Sequence, residues 1–261
     1  MNIVTGYQGF IGSHVCNNVN DIFGVEKEDC FEFLENFKDW SDVKFIYHLG
    51  AITDTTCKDV ESIYKYNIEF SIKLFEKAIQ YQIPVRYASS ASVYGNTHGS
   101  INPLNYYSIS KATVDLWVLD NIHKFSHVQG LRFFNVYGNG EEHKGAQSSP
   151  VTKFTKEVKE TGTISIFEES EFYYRDFICV DDVVQIMLNN KLGSGIYDLG
   201  TSNPISFRTV AKLVQRKYGG TIKVIPFPKH LEGKYQTSTK AREVFQHTFK
   251  TVSQWLEESN H

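Results

Sequence analysis

The sequence predicts an α/β fold: a doubly wound parallel-sheet Rossmann domain with a smaller C-terminal α/β region. Three observations predict it. Short apolar runs alternate with helical stretches of about 10–20 residues, the order expected of βαβ units and a parallel sheet. The first run ends directly in a glycine-rich turn. No Pro/Gly/Ser linker, internal repeat or low-complexity tract divides the chain, so a second region is built from excursions of the first.

Taken in order, Asn2–Thr5 reads as a β-prone run, followed by a helix over Phe10–Asn18 and a strand over Ile22–Glu26. Lys44–Leu49 is a third strand, bounded by Gly50-Ala51. From Ser62 to Gln80, Ile63, Tyr66, Phe70, Leu74 and Ala78 fall at helical spacing. Pro84 opens a strand over Val85–Ser89, and a helix over Tyr107–His123 precedes another strand over Val128–Phe134. Beyond it the pattern loosens. Pro150–Thr161, Asp181–Asn190 and Ser206–Tyr218 read as helices, the last with a serine N-cap, and Gly195–Gly200 as a buried strand between glycines.

Composition removes several classes. The 261 residues are 41% apolar and 22% charged, with 30 acidic against 27 basic side chains, so no basic stripe points to nucleic acid. No run of about 18 apolar residues points to a membrane span. The four cysteines, Cys16, Cys30, Cys57 and Cys179, lie far apart without a C-x-x-C pair, the usage of a reducing compartment and not of a disulfide framework or zinc site. With structure starting at residue 2, no signal peptide is expected, and a cytoplasmic location is.

Thr5-Gly6-Tyr7-Gln8-Gly9-Phe10-Ile11-Gly12 spaces its glycines G-x-x-G-x-x-G between the first strand and the first helix. That is the position where a tight turn, close backbone approach and a helix N-terminus receive a pyrophosphate. Glu26, at the end of the second strand, sits where an acidic residue accepts ribose hydroxyls, about 20 positions on; an ordinary surface glutamate is the alternative. Glu26 favours NAD, whereas the adjacent Lys27 could admit NADP, so both stay open.

Tyr107-Ser108-Ile109-Ser110-Lys111 is the chain's only Y-x-x-x-K, a spacing that chance alone can produce among 15 tyrosines. On a helix the two side chains share a face, and the ammonium can lower the phenol toward neutrality, making it a usable acid or base. Upstream, Tyr87–Gly95 places Ser90 at the carboxyl end of a parallel strand, where open α/β sheets bind ligands. Ser90 could there hydrogen-bond a substrate oxygen; a plain serine-rich loop is the other reading. Asn67 stands on the apolar stripe of its helix. A buried amide needs partners; a structural hydrogen bond to the neighbouring strand loop comes first and an active-site role second.

The glycine motif, Ser89-Ser90-Ala91-Ser92-Val93-Tyr94-Gly95, Tyr107/Lys111, Arg132–Gly138 and Arg175–Asp182 occur in that order. Together they resemble the extended short-chain dehydrogenase/reductases, the nucleotide-sugar epimerase and dehydratase group. Phe134–Gly145, Ile166–Ser170 and Pro226–Gln236 are similar, within that group, to the ADP-L-glycero-D-manno-heptose 6-epimerases. The resemblance implies Tyr107 and Lys144 as the two catalytic acid/bases, Ser90 as support for the reacting oxygen, and Lys111 as the holder of the nicotinamide ribose. It implies a cofactor site of Gly6, Gly9, Phe10, Ile11, Gly12, Glu26, Lys27, Leu49, Gly50, Ala51, Asn67, Tyr107, Lys111 and Val136. It also implies substrate contacts from Ser90, Asn135, Lys153, Phe167, Glu168, Glu169, Ser170, Arg175 and Tyr235. Without the family, Lys144 is a solvated loop lysine. Arg175 suits a diphosphate through its forked donors, with an ion pair to Asp176 as the plain alternative.

The resemblance further implies domains of 1–134 with about 177–200 for NAD(P), and about 135–176 with 201–261 for substrate. It departs at Ala146 and Lys153, where the family has serine and histidine, and between Glu26 and Lys44, where a typical member has a further strand. The implied activity is oxidation and re-reduction of a sugar carbon by tightly bound NAD or NADP. The partner is a nucleotide sugar, with no nucleic acid and no membrane, and a homo-oligomer is possible. A dehydratase would carry Asp-Glu where Ala91-Ser92 follow Ser90. A reductase, or a non-catalytic NAD(P)-binding sensor or scaffold, are the remaining alternatives.

Overall fold

The computed structural model describes residues 1–97, 99–229 and 239–259. Twelve strands lie among them: β1 (Asn2–Thr5), β2 (Ile22–Val25), β3 (Phe45–His48), β4 (Val85–Ser90), β5 (Val128–Phe133), β6 (Asn135–Tyr137), β7 (Thr163–Phe167), β8 (Tyr174–Arg175), β9 (Phe177–Cys179), β10 (Gly195–Leu199), β11 (Ile205–Ser206) and β12 (Thr221–Ile225). The α-helices are α1 (Phe10–Cys16), α2 (Cys30–Asn36), α3 (Val60–Ile63), α4 (Phe70–Tyr81), α5 (Tyr106–Asn121), α6 (Pro150–Thr161), α7 (Val180–Asn189), α8 (Phe207–Tyr218) and α9 (Val252–Glu258). None is long and apolar enough to cross a membrane.

Six strands form one parallel sheet in the order β2-β1-β3-β4-β5-β10. The connections leave β1 toward β2 on one side and return to β3 on the other, so the strand order reverses between β1 and β3. Alternation along the strands dresses both faces. Ile3, Ile46, Val85 and Val128 pack with Phe70, Leu74, Phe75, Ala78, Val114 and Val118 of α4 and α5. On the other face Val4, Leu131, Phe133 and Leu199 meet Val15 of α1 and Val183, Val184 and Met187 of α7. A third core joins α6, α8 and α9 through Phe154, Val158, Ile164, Val210, Val214 and Trp255.

The short stretch between Glu26 and Lys44 holds α2 and a 3₁₀ turn over Trp40–Asp42, with no strand. β2 therefore ends the sheet. The helix expected over 62–80 is broken differently from its apolar spacing: α3 passes into a π-helical turn over Tyr64–Glu69 before α4 begins. Strands β6, β7, β8, β9, β11 and β12 and helices α2 and α9 are additional to the sequence reading. Each strand is at most five residues long and pairs with a single partner. Such pieces leave little periodicity to read.

Candidate active site

The reversal between β1 and β3 brings two backbone turns into contact, the place where open α/β sheets bind ligands. Gly6 adopts φ +64°, and a Cβ there would stand 2.7 Å from Gly50 Cα. A Cβ on Gly12 would lie 2.0 Å from the Gly6 carbonyl oxygen, so helix α1 can only sit this close with glycine. Thr5 Oγ1 accepts the N–H groups of Leu49 (3.1 Å) and Gly50 (3.0 Å) and fixes the second turn to the first.

Above this contact opens a cavity of about 600 Å³. Gly6, Gly9, Phe10, Ile11, Gly12, Glu26, Lys27, Leu49, Gly50, Ala51 and Val136 all line it. Glu26 Oε1 accepts the Gln8 N–H at 2.8 Å, which ties the end of β2 to the glycine loop. Lys27 lies 3.7 Å from Glu28 and 5.5 Å from the Tyr66 ring centroid. Gly9 N-caps α1 without a side-chain acceptor, leaving the first-turn N–H groups for anionic oxygens. These features fit a dinucleotide. Cys30 lines the cavity from the short stretch after Glu26, and Tyr66 and Phe70 of the long helix add an apolar lining that sequence reasoning missed.

Ser90, Tyr107 and Lys111 line the same cavity. Asn105 N-caps α5, its side chain accepting from Ser108 N (2.9 Å) and Ser108 Oγ (2.8 Å), so Tyr107 sits in the first turn and Lys111 in the second. Lys111 is buried, and its Nζ donates to the Ala88 carbonyl at 2.7 Å and lies 6.0 Å from the Tyr107 ring centroid. The expected lowering of the Tyr107 phenol is not what the fold produces. Burial pushes it up, with the Ser90 hydroxyl opposing. It is the Lys111 ammonium that moves down, to about 8, through burial, with Asp115 opposing. Asp115 is itself engaged by Tyr87, Ser89 and Arg132 at 2.9, 2.9 and 2.8 Å.

Asn67 is not among the residues that line the cavity; it stands behind it, in the hydrogen bond to the neighbouring strand loop that the sequence put first. Its Oδ1 accepts from Ile52 N (2.7 Å), and its Nδ2 donates to Ile52 O and Ser110 Oγ (3.0 Å each). His48 continues this support. Thr5 Oγ1 already accepts two N–H groups, so its proton goes to His48 Nδ1 (2.7 Å). Nε2–H then donates to Ser71 Oγ (2.7 Å), which donates to Asn67 O (2.6 Å). The ring is neutral in this chain: burial, with Lys111 adding to it, lowers His48 to about 3.

A second set of groups enters from an irregular segment. Lys144 lies in a 3₁₀ turn over Glu142–Gln147, interrupted at Gly145 with φ +51°. It lines the cavity 5.3 Å from the Phe10 ring centroid and 3.4 Å from Glu141 Oε1. Asn135, Lys153 and Arg175 line it too. Burial lowers Lys153, with Glu141 opposing and Lys144 adding to the effect. Arg175 is buried, with its guanidinium 5.3 Å from the Phe207 ring, while the Asp176 carboxylate takes the N–H groups of Thr201, Ser202 and Ala241. Phe167, Glu168, Glu169 and Ser170 are not brought to the cavity wall. Phe167 packs on Phe227, Glu168 N donates to Ile225 O, Glu169 has φ +60°, and Ser170 is buried. Tyr235 lies outside the described residues.

The comparisons with known proteins agree with this arrangement. A model of the NAD dependent epimerase/dehydratase family matches residues 2–191. The chain is 35% identical to the ADP-L-glycero-D-manno-heptose-6-epimerase of Alkalilimnicola ehrlichii, covering 92% of this chain and 88% of that one. It is 36% identical to the enzyme of the same name from Brachyspira hyodysenteriae, covering 92% and 89%. The Helicobacter pylori ADP-L-glycero-D-manno-heptose-6-epimerase structure superposes with a TM-score of 0.82 at 23% identity, over 98% of this chain and 94% of that one. By sequence, by strand order and by the cavity at its β1–β3 switch point, the chain belongs to the NAD dependent epimerase/dehydratase family.

Proposed function

We propose that this chain is a nucleotide-sugar epimerase that inverts C6 of an ADP-bound glycero-manno-heptose by oxidising and re-reducing the same carbon. One observation carries the reading: two proton-handling groups, Tyr107 on α5 and Lys144 on a separate turn, line one cavity with the glycine loop. NAD, when bound, takes up and returns the hydride. As the hydride leaves, the sugar hydroxyl's proton would pass to one of the two groups, and the other would give a proton to the carbonyl oxygen as the hydride returns. Tyr107, with Ser90 beside it, serves one orientation of the sugar oxygen. Lys144 serves the opposite orientation. Lys111 holds the ribose and places positive charge behind Tyr107. The absence of an Asp-Glu pair after Ser90 speaks against dehydration.

The heptose rests on the two curated relatives. Asn135, Lys153 and Arg175 are the substrate contacts the cavity supports, joined by Phe167–Ser170 and Tyr235 on resemblance; residues 135–176 and 201–261 make up the substrate side. Glu26, its carboxylate fixed by Gln8, disfavours a 2′-phosphate, so NAD is the cofactor over NADP. The four free cysteines suit the cytoplasm. Exposed Ile109, Leu116 and Leu119 on α5, beside Val60 and Tyr64, support a homodimer.

The test is to purify the protein, identify the nicotinamide nucleotide that accompanies it, and incubate it with ADP-D-glycero-D-manno-heptose under NMR. Inversion at C6 without net consumption of free NAD, by a particle of dimer mass in light scattering, is expected. No inversion, with turnover of a UDP-, GDP- or dTDP-sugar instead, overturns the substrate; a monomer mass overturns the dimer.

A further inference from the structure

We infer that Glu141 is a positioning residue that aims the Lys144 ammonium into the cavity. The inference rests on the reading of Lys144 as a reacting group. Glu141 is 1% exposed, and a carboxylate taken so fully out of water needs its lone pairs filled. They are filled: Ser149 N (2.6 Å) and Lys144 Nζ (3.4 Å) donate to Oε1, and Ser149 Oγ and Thr152 Oγ1 (2.7 Å each) donate to Oε2. Its backbone carbonyl takes two more donors, Lys144 N at 3.0 Å and Ser148 Oγ at 3.1 Å. One residue thus binds both ends of Lys144 and the start of α6.

The charge is what distinguishes this from helix capping. Ser149 already N-caps α6. A neutral glutamine would satisfy the two hydroxyls at a smaller desolvation cost. What a neutral side chain could not do is offset with a charge the repulsion between the Lys144 ammonium and Lys153, which feels both groups. On the other side Lys144 meets the face of Phe10, within the glycine loop. Carboxylate and ring together give a four-carbon flexible stem a defined direction. Sequence reasoning passed over Glu141, because a glutamate in a Gly-Glu-Glu stretch looks solvated.

The test uses the full chain with its bound nucleotide and ADP-D-glycero-D-manno-heptose as probe. Glu141→Gln is expected to lower kcat about 10-fold or more, the scale of a misplaced reacting group. KM should stay within about 3-fold and nucleotide content per chain should be unchanged, since the uniform binding contacts remain. In a Lys144→Ala background, Glu141→Gln should cost nothing further. Wild-type kcat in Glu141→Gln, or an equal loss in both backgrounds, overturns the inference. Full activity in Lys144→Ala removes the reacting role of Lys144 and the inference with it. Impaired Lys144→Ala beside unimpaired Glu141→Gln removes the inference alone. Should Glu141→Gln not accumulate folded, Thr152→Val takes one donor from the carboxylate instead: about a 3-fold loss in kcat at unchanged KM is expected, and unchanged kcat overturns.

Discussion

Lys111 and Lys144 line the same cavity but are governed by different physics. Lys111 projects from the second turn of a regular helix, is 6% exposed, and meets a neutral carbonyl, while Asp115 one turn on is taken up by Arg132. Burial therefore moves it down to about 8. Lys144 projects from a broken 3₁₀ turn and is met by a buried carboxylate and an aromatic face. The titration of one lysine is governed by loss of water, while the other is held in place by a charged partner and a ring. The same residue type can thus be placed twice in one site without the two being interchangeable.

The largest effect that sharpens this contrast belongs to the group Lys111 serves. Tyr107→Phe should reduce turnover by at least about 100-fold, the scale of lost acid/base catalysis, while nucleotide stays bound. Near-wild-type turnover would transfer the chemistry away from the α5 side altogether.

Next comes the stability cost of the desolvated lysine. The folded ammonium titrates at about 8 and the unfolded one at the ordinary 10.5. Between these values the unfolded chain binds more protons, so stability rises with pH across that window, and below it the full cost stands. At about 1.4 kcal/mol per pH unit the cost is of order 3 kcal/mol near neutrality. Losing the Ala88 hydrogen bond returns about 1 kcal/mol of it. Lys111→Met in the nucleotide-free protein should therefore be more stable than wild type near neutral pH, by about 1–2 kcal/mol. The gap should close toward pH 10.5 in urea unfolding. A variant less stable than wild type near neutrality would break the contrast.

A pH-dependent effect on the acid side tests the frame behind Lys111. His48 stays neutral in the fold down to about 3, whereas an unfolded histidine protonates below 6.5. Stability is thus lost as pH falls from 6.5 toward 3. His48→Gln should flatten that acid slope by up to about 1.4 kcal/mol per pH unit. An unchanged slope would mean that the ring takes up a proton without unfolding.

The two walls also differ in how far they could be read in advance. Gly6, Gly9, Gly12 and Glu26 lie at the ends of strands or in the turn between strand and helix, where position alone pointed to a dinucleotide; Ser90 and Lys111 were candidates by position, and their roles came from resemblance. Lys144 was visible only through family resemblance, because nothing local distinguishes a loop lysine among glycines. Glu141, Tyr66 and Phe70 were not visible as site residues. Their function depends on which distant segment the fold sets against them. For Glu141 that is the Ser149–Thr152 start of α6; for the aromatics it is the bare end of β2.

The π-helical turn Tyr64–Glu69 shows what such a dependence requires of a helix. An α-helix advances about 100° per residue, so its side chains point in one fixed sequence of directions. The helix from Val60 to Tyr81 has two jobs in different phases: Asn67 must face Ile52 and Ser110, while Leu74, Phe75 and Ala78 must face the sheet. A wider turn, holding one extra residue, is a gear change between the two. Deleting one residue there would restore a uniform helix and put the phases out of step. Either the amide that steadies α5 or the stripe that fills the core would then point the wrong way.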